Sequence, residues 1–531
     1  MGLIDTEWLI HGFIADIALL LAFKIPLTSS NILRLYPVSI IGLLLTYSIY
    51  CVIIYPRFIS RYRHLPQPPN PHWLFGSFAD YGKHYYDHGV QFHKQYPDIP
   101  FANFRGPFGK DYLTALSPEA HLAILQTHVY KFPKPAISQA FKVIIGNGLV
   151  FAEGDEHRQQ KKALLPAFAY SHIKSFVPIF MNKCKLVMQQ FDDTVKSGSQ
   201  VFAILPYLSR LTLDAIGEAS FGVNFNSIND GSSELLKSYE KMSNPTSNFL
   251  LFNLFALVPG WRYVPLKYNN EIRHAQGIFR ENCRKVLEEK QEALLEQKQR
   301  NSQSELKDRN ILSILLNSGN NWALDEVENQ IMTFLFAGHE TTAGAVTWAL
   351  FTMAQNQDIQ ERLRTEIREN FPGGVDAIQT AEAIESAKYL NNVVRECLRL
   401  NPPVLLTTRE AAEDVTIEGL EIKKGTVIQI SIKAMNTSTK FWGQDANDFN
   451  PDRWNGRQAE SAYANLTFIQ GTRSCIGKRF AEIEFKCILA ALVGRYRFEE
   501  ATKNQNPEKE FVITIKPLDG LPLKVTKIDG W

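Results

Sequence analysis

The sequence predicts a mainly α-helical protein with small β-sheets, and three observations point there. Between about Leu324 and Gln355 apolar residues occupy nearly every side of a helical pattern: Ile331, Met332, Phe334, Leu335 and Phe336, then Ala345, Val346, Trp348, Leu350 and Phe351. A helix with no polar face belongs in the middle of a domain. A second helical pattern starts directly after Cys475, through Ile476, Phe480, Ile483, Phe485, Ile488, Leu489 and Leu492. Strand patterns are short, near Phe101–Leu116, Val415–Ile432 and Phe511–Val525.

With 531 residues, 45% of them hydrophobic, the chain can bury a large core and fits an α-rich enzyme with one catalytic unit. A net charge of +2 and the lack of a long basic run give no case for nucleic acid. Six scattered cysteines form no disulfide framework and fit a reducing compartment. No internal repeat is visible.

The elements follow in order. Residues 1–35 include a short apolar stretch, Trp8 to Phe23, interrupted by His11 and Asp16 and expected at a membrane interface or in the lumen. Asp5 and Glu7 stand where a secretory signal would be basic. Residues 36–55 are uncharged and mostly apolar, and twenty helical residues span ~30 Å, the thickness of a bilayer core. This predicts a transmembrane helix. Arg57, Arg61 and Arg63 follow, which places the rest of the chain in the cytosol. Residues 56–72, with Pro66, Pro68, Pro69 and Pro71, read as a basic, proline-rich hinge. Residues 73–531 form the catalytic domain. Within it Glu288 to Asp308 is a charged, Gln-rich stretch expected as an exposed helix end and loop.

Cys475 carries the chemistry. It stands between Gly471 and Gly477, two residues after Arg473, at the start of a helical pattern. Helix N-terminal amides favour a thiolate. Glycines allow close approach to a large flat group, and an arginine fork suits a carboxylate. A haem offers the flat face, the iron and the propionates. A buried structural cysteine is the ordinary alternative, and a cysteine nucleophile stays open. Zinc is poorly supported, because no Cys-x-x-Cys pair exists.

Other segments decide. Phe468, Gly471, Arg473, Cys475 and Gly477 spell Phe-x-x-Gly-x-Arg-x-Cys-x-Gly, which resembles the cytochrome P450 family, and further matches run from about Leu65 to the C-terminus. The resemblance implies the cytochrome P450 fold and haem b, with iron on the Cys475 thiolate as is established for this family. It implies an oxygen-activation segment at Gly338, Glu340 and Thr341, in which Thr341 hydrogen-bonds dioxygen and Glu340 helps deliver protons. Read from the residues alone, Gly338 weakens the long helix locally and can open a groove, and these polar groups could equally be tied to their own backbone. Arg409 matches a second propionate-binding arginine. Glu396, Arg399 and Arg453 match a buried triad that supports the haem pocket without taking part in the chemistry. Two positions depart from the family. His157 and Lys161 replace the usual tryptophan and arginine of one propionate-binding helix, and Asn436 stands where eukaryotic members often carry histidine.

The function implied is a membrane-anchored monooxygenase inserting one atom of O2 into a hydrophobic small molecule, single-pass in the endoplasmic reticulum membrane. Only 56 residues follow Cys475, too few for a flavin domain, so electrons are expected from a separate NADPH-cytochrome P450 reductase. Lys478, Arg479 and Lys486 are candidates for its docking face. Expected pocket segments are Lys134–Leu149, Phe249–Leu257, Phe334–His339, Val404–Thr408 and Lys516–Leu521, all mostly apolar. The chain resembles fungal microsomal members of secondary metabolism that tailor terpenoids or polyketides. Fatty-acid or xenobiotic hydroxylation is the alternative, and a haem-thiolate isomerase or dehydratase using no O2 the rival of another class. Some fatty-acid-hydroxylating relatives attach haem through a glutamate where this chain has Ala337, which has no carboxylate.

Overall fold

The computed structural model describes residues 41–531 except 43–44, 69–71, 73–75, 78–86, 107–108, 136–140, 232–233, 244–259, 300–309, 317–321, 457–458, 460 and 512. Residues 1–35, the pocket segment Phe249–Leu257 and parts of the predicted segments 36–55, 56–72, 101–116, 134–149, 288–308 and 511–525 therefore lie outside the described residues.

The principal helices are α1 (Gly154–Leu164), α2 (Val177–Lys196), α3 (Leu205–Phe221), α4 (Glu234–Ser243), α5 (Lys267–Gln299), α6 (Leu324–Gln355), α7 (Lys388–Leu400) and α8 (Lys478–Arg495). The apolar pattern of α6 is realised over its full predicted length. Glu326 accepts the N–H of Ala323 at 2.9 Å and fixes the start, and Asn356 stops the helix in a non-helical conformation. Between these ends Ile331, Met332, Leu335, Val346, Ala349 and Leu350 are all buried, each large aliphatic contributing about 1.5–3 kcal/mol. One expectation fails. Gly338 does not interrupt the helix, which is α-helical throughout. A Cβ there would come within 2.9 Å of the Ile216 side chain, so this glycine allows α3 to approach α6.

The strands gather into small sheets at the edge of this helical mass. β1 (Phe101–Arg105), β2 (Asp111–Ala115), β7 (Val427–Ser431) and β4 (Leu406–Glu410) form one sheet in the order β1-β2-β7-β4, with only β2 and β7 parallel. β3 (Val201–Ala203), β11 (Pro522–Lys527) and β8 (Tyr496–Glu500) form another. β5 (Val415–Ile417) pairs with β6 (Leu420–Ile422), and β9 (Lys509–Phe511) with β10 (Ile515–Pro517). Mostly helical with small sheets is what the periodicities predict.

Glu396 and Arg399, three apart on α7, are both fully buried and joined by two hydrogen bonds of 2.8 and 2.7 Å. Arg453 donates to the same carboxylate at 3.3 Å. Asn436 is buried beside them. Its amide donates to Arg399 O and to Thr467 Oγ1 and its oxygen accepts from Leu466 N–H, so it ties α7 to the chain leading to Cys475.

Among the described residues no helix is long and apolar enough to cross a membrane. Within 36–55 residues 41–42 and 45 onward are helical, and the helix continues to Ile59.

Two buried histidines give a pH dependence. Burial, followed by His93 for His121 and Lys516 for His339, pushes both imidazoles down to about 3 from 6.5. Neither ring nitrogen of His339 has a hydrogen-bond partner among the described residues, while the Ala115 and Ser117 backbone partly offsets the burial of His121. The folded state keeps them neutral while the unfolded chain binds protons below pH 6.5, so their contribution is complete above 6.5 and falls as the pH drops toward 3. Each costs about 1.4 kcal/mol per pH unit in that window. The urea midpoint should fall on acidification below 6.5, and more shallowly in His121→Gln; an equal slope in the variant would contradict this.

Candidate active site

The chain from Phe468 to Gly477 folds into a tight loop that presents Cys475 to an internal cavity of about 360 Å³. The loop closes on itself: Cys475 N–H donates to Phe468 O at 2.8 Å and Ser474 N–H to Gly471 O at 3.1 Å. Gly471 has φ +76°, and a Cβ there would meet Leu125 O at 2.7 Å. Its freedom serves the close approach of the loop to Leu125, whereas sequence reasoning assigned it to a cofactor face. A Cβ at Gly477 would find nothing nearer than 4.0 Å, with Cys475 Sγ one of the two atoms at that distance.

Helix α8 begins at Lys478, three residues after the cysteine. Opposing influences act on its thiol. Cys475 is open to solvent through the cavity yet surrounded by protein, and burial raises its thiol above the ordinary value. The Gly477 N–H, Lys478 and Lys161 pull the other way without overcoming it, and Glu482 adds to the rise. A bound iron would add to the groups that favour the anion.

A rim of cations belongs to the cavity lining. Arg409 on β4, Arg473, Lys161 on α1 and Lys134 all line it. Arg409 is buried, and burial followed by Arg473 pushes its guanidinium down to about 10. Lys134 is partly open to the cavity, and burial followed by Arg409 and Arg473 pushes its ammonium well below the ordinary range. Glu153 opposes these shifts: it pairs with Arg473 and accepts the N–H of Lys134 at 3.2 Å. Arg409, Arg473 and Lys161 against one carboxylate call for further negative charge, which would also favour the charged form of Lys134. Two propionates satisfy that demand, so the residues present fit a haem. His157 takes the helix position where tryptophan is usual and is kept neutral, pushed down to about 3 by burial and then Arg473 and Lys161. Its Nδ1 lies 3.2 Å from Tyr130 Oη. Lys161 donates to Thr472 O at 2.5 Å and is the cation that α1 contributes.

Helix α6 supplies another part of the lining. Ala337, Gly338, Thr341 and Thr342 face the cavity. Thr341 Oγ1 donates to Ala337 O at 2.7 Å and Thr342 Oγ1 to Gly338 O at 3.2 Å, so both hydroxyls are engaged by their own helix. Glu340 turns away from the cavity. Its carboxylate pairs with Lys516 at 2.9 Å, accepts from Tyr239 Oη at 3.1 Å and accepts a short bond from Thr514. Sequence reasoning missed Lys134 as part of the rim and Tyr239, Thr514 and Lys516 as partners of Glu340. These groups come from separate elements, and the sequence marked Lys134 only as the start of a mostly apolar pocket segment. Lys478 and Arg479 are exposed, but Lys486 is buried against Glu385 at 3.5 Å and belongs to no docking face.

A cysteine, a group of cations and a glycine- and threonine-bearing helix lining one cavity define a haem-thiolate protein. The cytochrome P450 family model matches residues 66–521, and the chain belongs to that family. It is similar to cytochrome P450 monooxygenase sphH of Aspergillus fumigatus, 36% identical over 93% of this chain and 94% of the relative. It is also similar to cytochrome P450 monooxygenase buaD of Petromyces alliaceus, 31% identical over 96% of both chains. The enzyme is thus a cytochrome P450 monooxygenase whose haem iron is bound through a cysteine thiolate, using O2, a small-molecule substrate and a redox partner. Bound haem supplies the iron that activates dioxygen.

Ala337 lines the cavity and carries no carboxylate, so the haem should be held non-covalently. Acidified organic solvent should extract it completely and leave a polypeptide of unmodified mass in intact mass spectrometry. A mass increment of one haem would contradict this.

Proposed function

We propose that this chain is a membrane-anchored monooxygenase that oxidises an apolar, bulky secondary metabolite of terpenoid or polyketide type, with electrons from a separate NADPH-cytochrome P450 reductase. The observation that carries the site reading is the placement of Cys475 on a cavity whose lining includes the apolar Ile216, Phe334, Ala345, Val404 and Ile432. Such a wall orients a hydrophobic ligand by shape and offers it few polar handles. The uncharged run 36–55 with its basic flank supports an endoplasmic reticulum anchor with the catalytic domain in the cytosol.

In this reading Phe468, Gly471 and Gly477 shape the loop, Cys475 binds iron, and Arg409, Arg473 and Lys161, with Lys134, hold the propionates. Thr341 exchanges its bond to Ala337 O for one toward the reacting oxygen, and Glu340, released from Lys516, passes protons inward. The similarity to filamentous-fungal monooxygenases supports the tailoring role. Ala337 ranks fatty-acid oxidation below it. Glu340 and Thr341 at adjacent positions weigh against an oxygen-independent isomerase.

Reconstitution with NADPH reductase and apolar substrates tests the reading: oxygen uptake and NADPH consumption should rise together, and turnover without either would overturn it. In Thr341→Ala haem binding should persist, while product formed per NADPH consumed falls several-fold and peroxide accumulates. Unchanged coupling would leave Thr341 a structural hydroxyl.

A further inference from the structure

Histidine differs from tryptophan in one respect that matters at the α1 position. An indole carries its N–H on one atom, whereas a neutral imidazole can carry its hydrogen on either nitrogen. His157 can therefore act as a defined donor toward the cavity only if its tautomer is fixed. Tyr130 is placed to fix it. Its hydroxyl lies 3.2 Å from His157 Nδ1, and the two rings are tilted with centroids 6.1 Å apart. Among the described residues that nitrogen is the hydroxyl's only hydrogen-bond partner. Were Nδ1 the donor, the phenol hydrogen would have no acceptor among those residues. With the phenol as donor both groups are satisfied, and the imidazole hydrogen goes to Nε2.

The backbone around Tyr130 is held firmly. Val129–Lys131 is a single 3₁₀ turn, and the residues after it are stitched to the strand that carries Arg409 and to the chain just beyond it. Glu410 N–H donates to Pro133 O at 2.8 Å and Ala412 N–H to Lys131 O at 2.9 Å. Two guanidiniums lie against the phenol ring, Arg158 at 4.1 Å and Arg473 at 5.8 Å from its centroid. These cation–π contacts draw electron density from the ring and strengthen its O–H as a donor. The charges of Arg473, Lys161, Lys134 and Arg158 also hold the imidazole neutral. His157, Arg473, Lys161 and Arg409 line one cavity. Resting on the haem reading above, we propose that Tyr130 is a positioning residue: its hydroxyl donates to His157 Nδ1, locks the imidazole hydrogen on Nε2 and so lets a neutral histidine serve a haem propionate as an indole N–H does. Two side chains then perform what tryptophan performs alone, and Tyr130 acts only through His157.

The test uses the full-length, haem-loaded protein and two readouts that do not depend on turnover. The propionate bending band in resonance Raman spectra reports hydrogen bonding to the carboxylates, and transfer to apomyoglobin reports how fast haem leaves. Tyr130→Phe removes one oxygen and keeps the ring against both guanidiniums. It should move the band in the same direction as His157→Leu and at least half as far, and should speed haem loss several-fold. The double variant should match His157→Leu alone, because the two residues act as one unit. If His157→Leu holds no haem, His157→Trp takes its place: an indole needs no partner to fix its N–H, so adding Tyr130→Phe should change neither readout. A Tyr130→Phe protein with the parent's band and rate would overturn the proposal, as would effects that simply add in the double variant. A parent protein that binds no haem would overturn the haem reading itself.

Discussion

Cys475→Ala should yield a protein without the red-shifted Soret band of the reduced carbon-monoxide complex and without turnover. The other cysteines cannot substitute. Cys184, Cys283, Cys397 and Cys487 are buried away from the cavity, and burial raises the thiol of each. Cys51 lies on the N-terminal helix, remote in the fold from the pocket. The rim should still attract haem, because Arg409, Arg473, Lys161 and Lys134 are unchanged. The expected product is therefore a folded chain with weakly held haem and a spectrum lacking thiolate character. A folded variant that keeps the red-shifted band would remove Cys475 from the iron.

Arg399→Ala should be the most damaging substitution outside the cavity. Arg399 and Glu396 are completely buried, and the guanidinium also donates to Asn436 O at 2.7 Å and Ala446 O at 2.6 Å. The same carboxylate serves Trp454 Nε1 at 3.0 Å and Asn450 N–H at 3.2 Å. Removing one partner strands the other charge in the core at a cost of about 3–5 kcal/mol, against a total stability on the order of 5–15 kcal/mol. Little soluble holoprotein should accumulate. Arg399→Lys keeps the charge but loses the planar fork, so a partial recovery is expected. Normal yield and an unchanged urea midpoint in Arg399→Ala would show that the pair is dispensable. Because Asn436 joins this cluster to Leu466 and Thr467, partial damage should also loosen haem retention.

What the sequence revealed followed the reach of its signals. The bounds of α6 and the burial of α8 were legible because periodicity records which sides of one helix face the core. Glu396 and Arg399 were legible because three residues on a helix share a face. The cysteine loop was legible because its spacing is compact. Pairings between distant elements leave no such mark: Lys516 and Tyr239 reach Glu340 from β10 and α4, and Asn436 reaches α7 from across the site. The unbroken helix at Gly338 was missed for the same reason, since its close neighbour, Ile216, lies on another helix. The burial that raises the Cys475 thiol, set against the Gly477 amide and the nearby lysines, was not legible either, because the burying groups come from other elements.

The most direct test of the enzyme reading is the fate of dioxygen. Microsomes carrying this chain and an NADPH reductase, supplied with apolar metabolites that accumulate in a deletion strain, should be incubated under isotopically labelled O2. A haem-thiolate monooxygenase predicts an NADPH-dependent product containing one labelled oxygen atom, absent with Cys475→Ala. A product that forms without NADPH, or that carries no label, would contradict it.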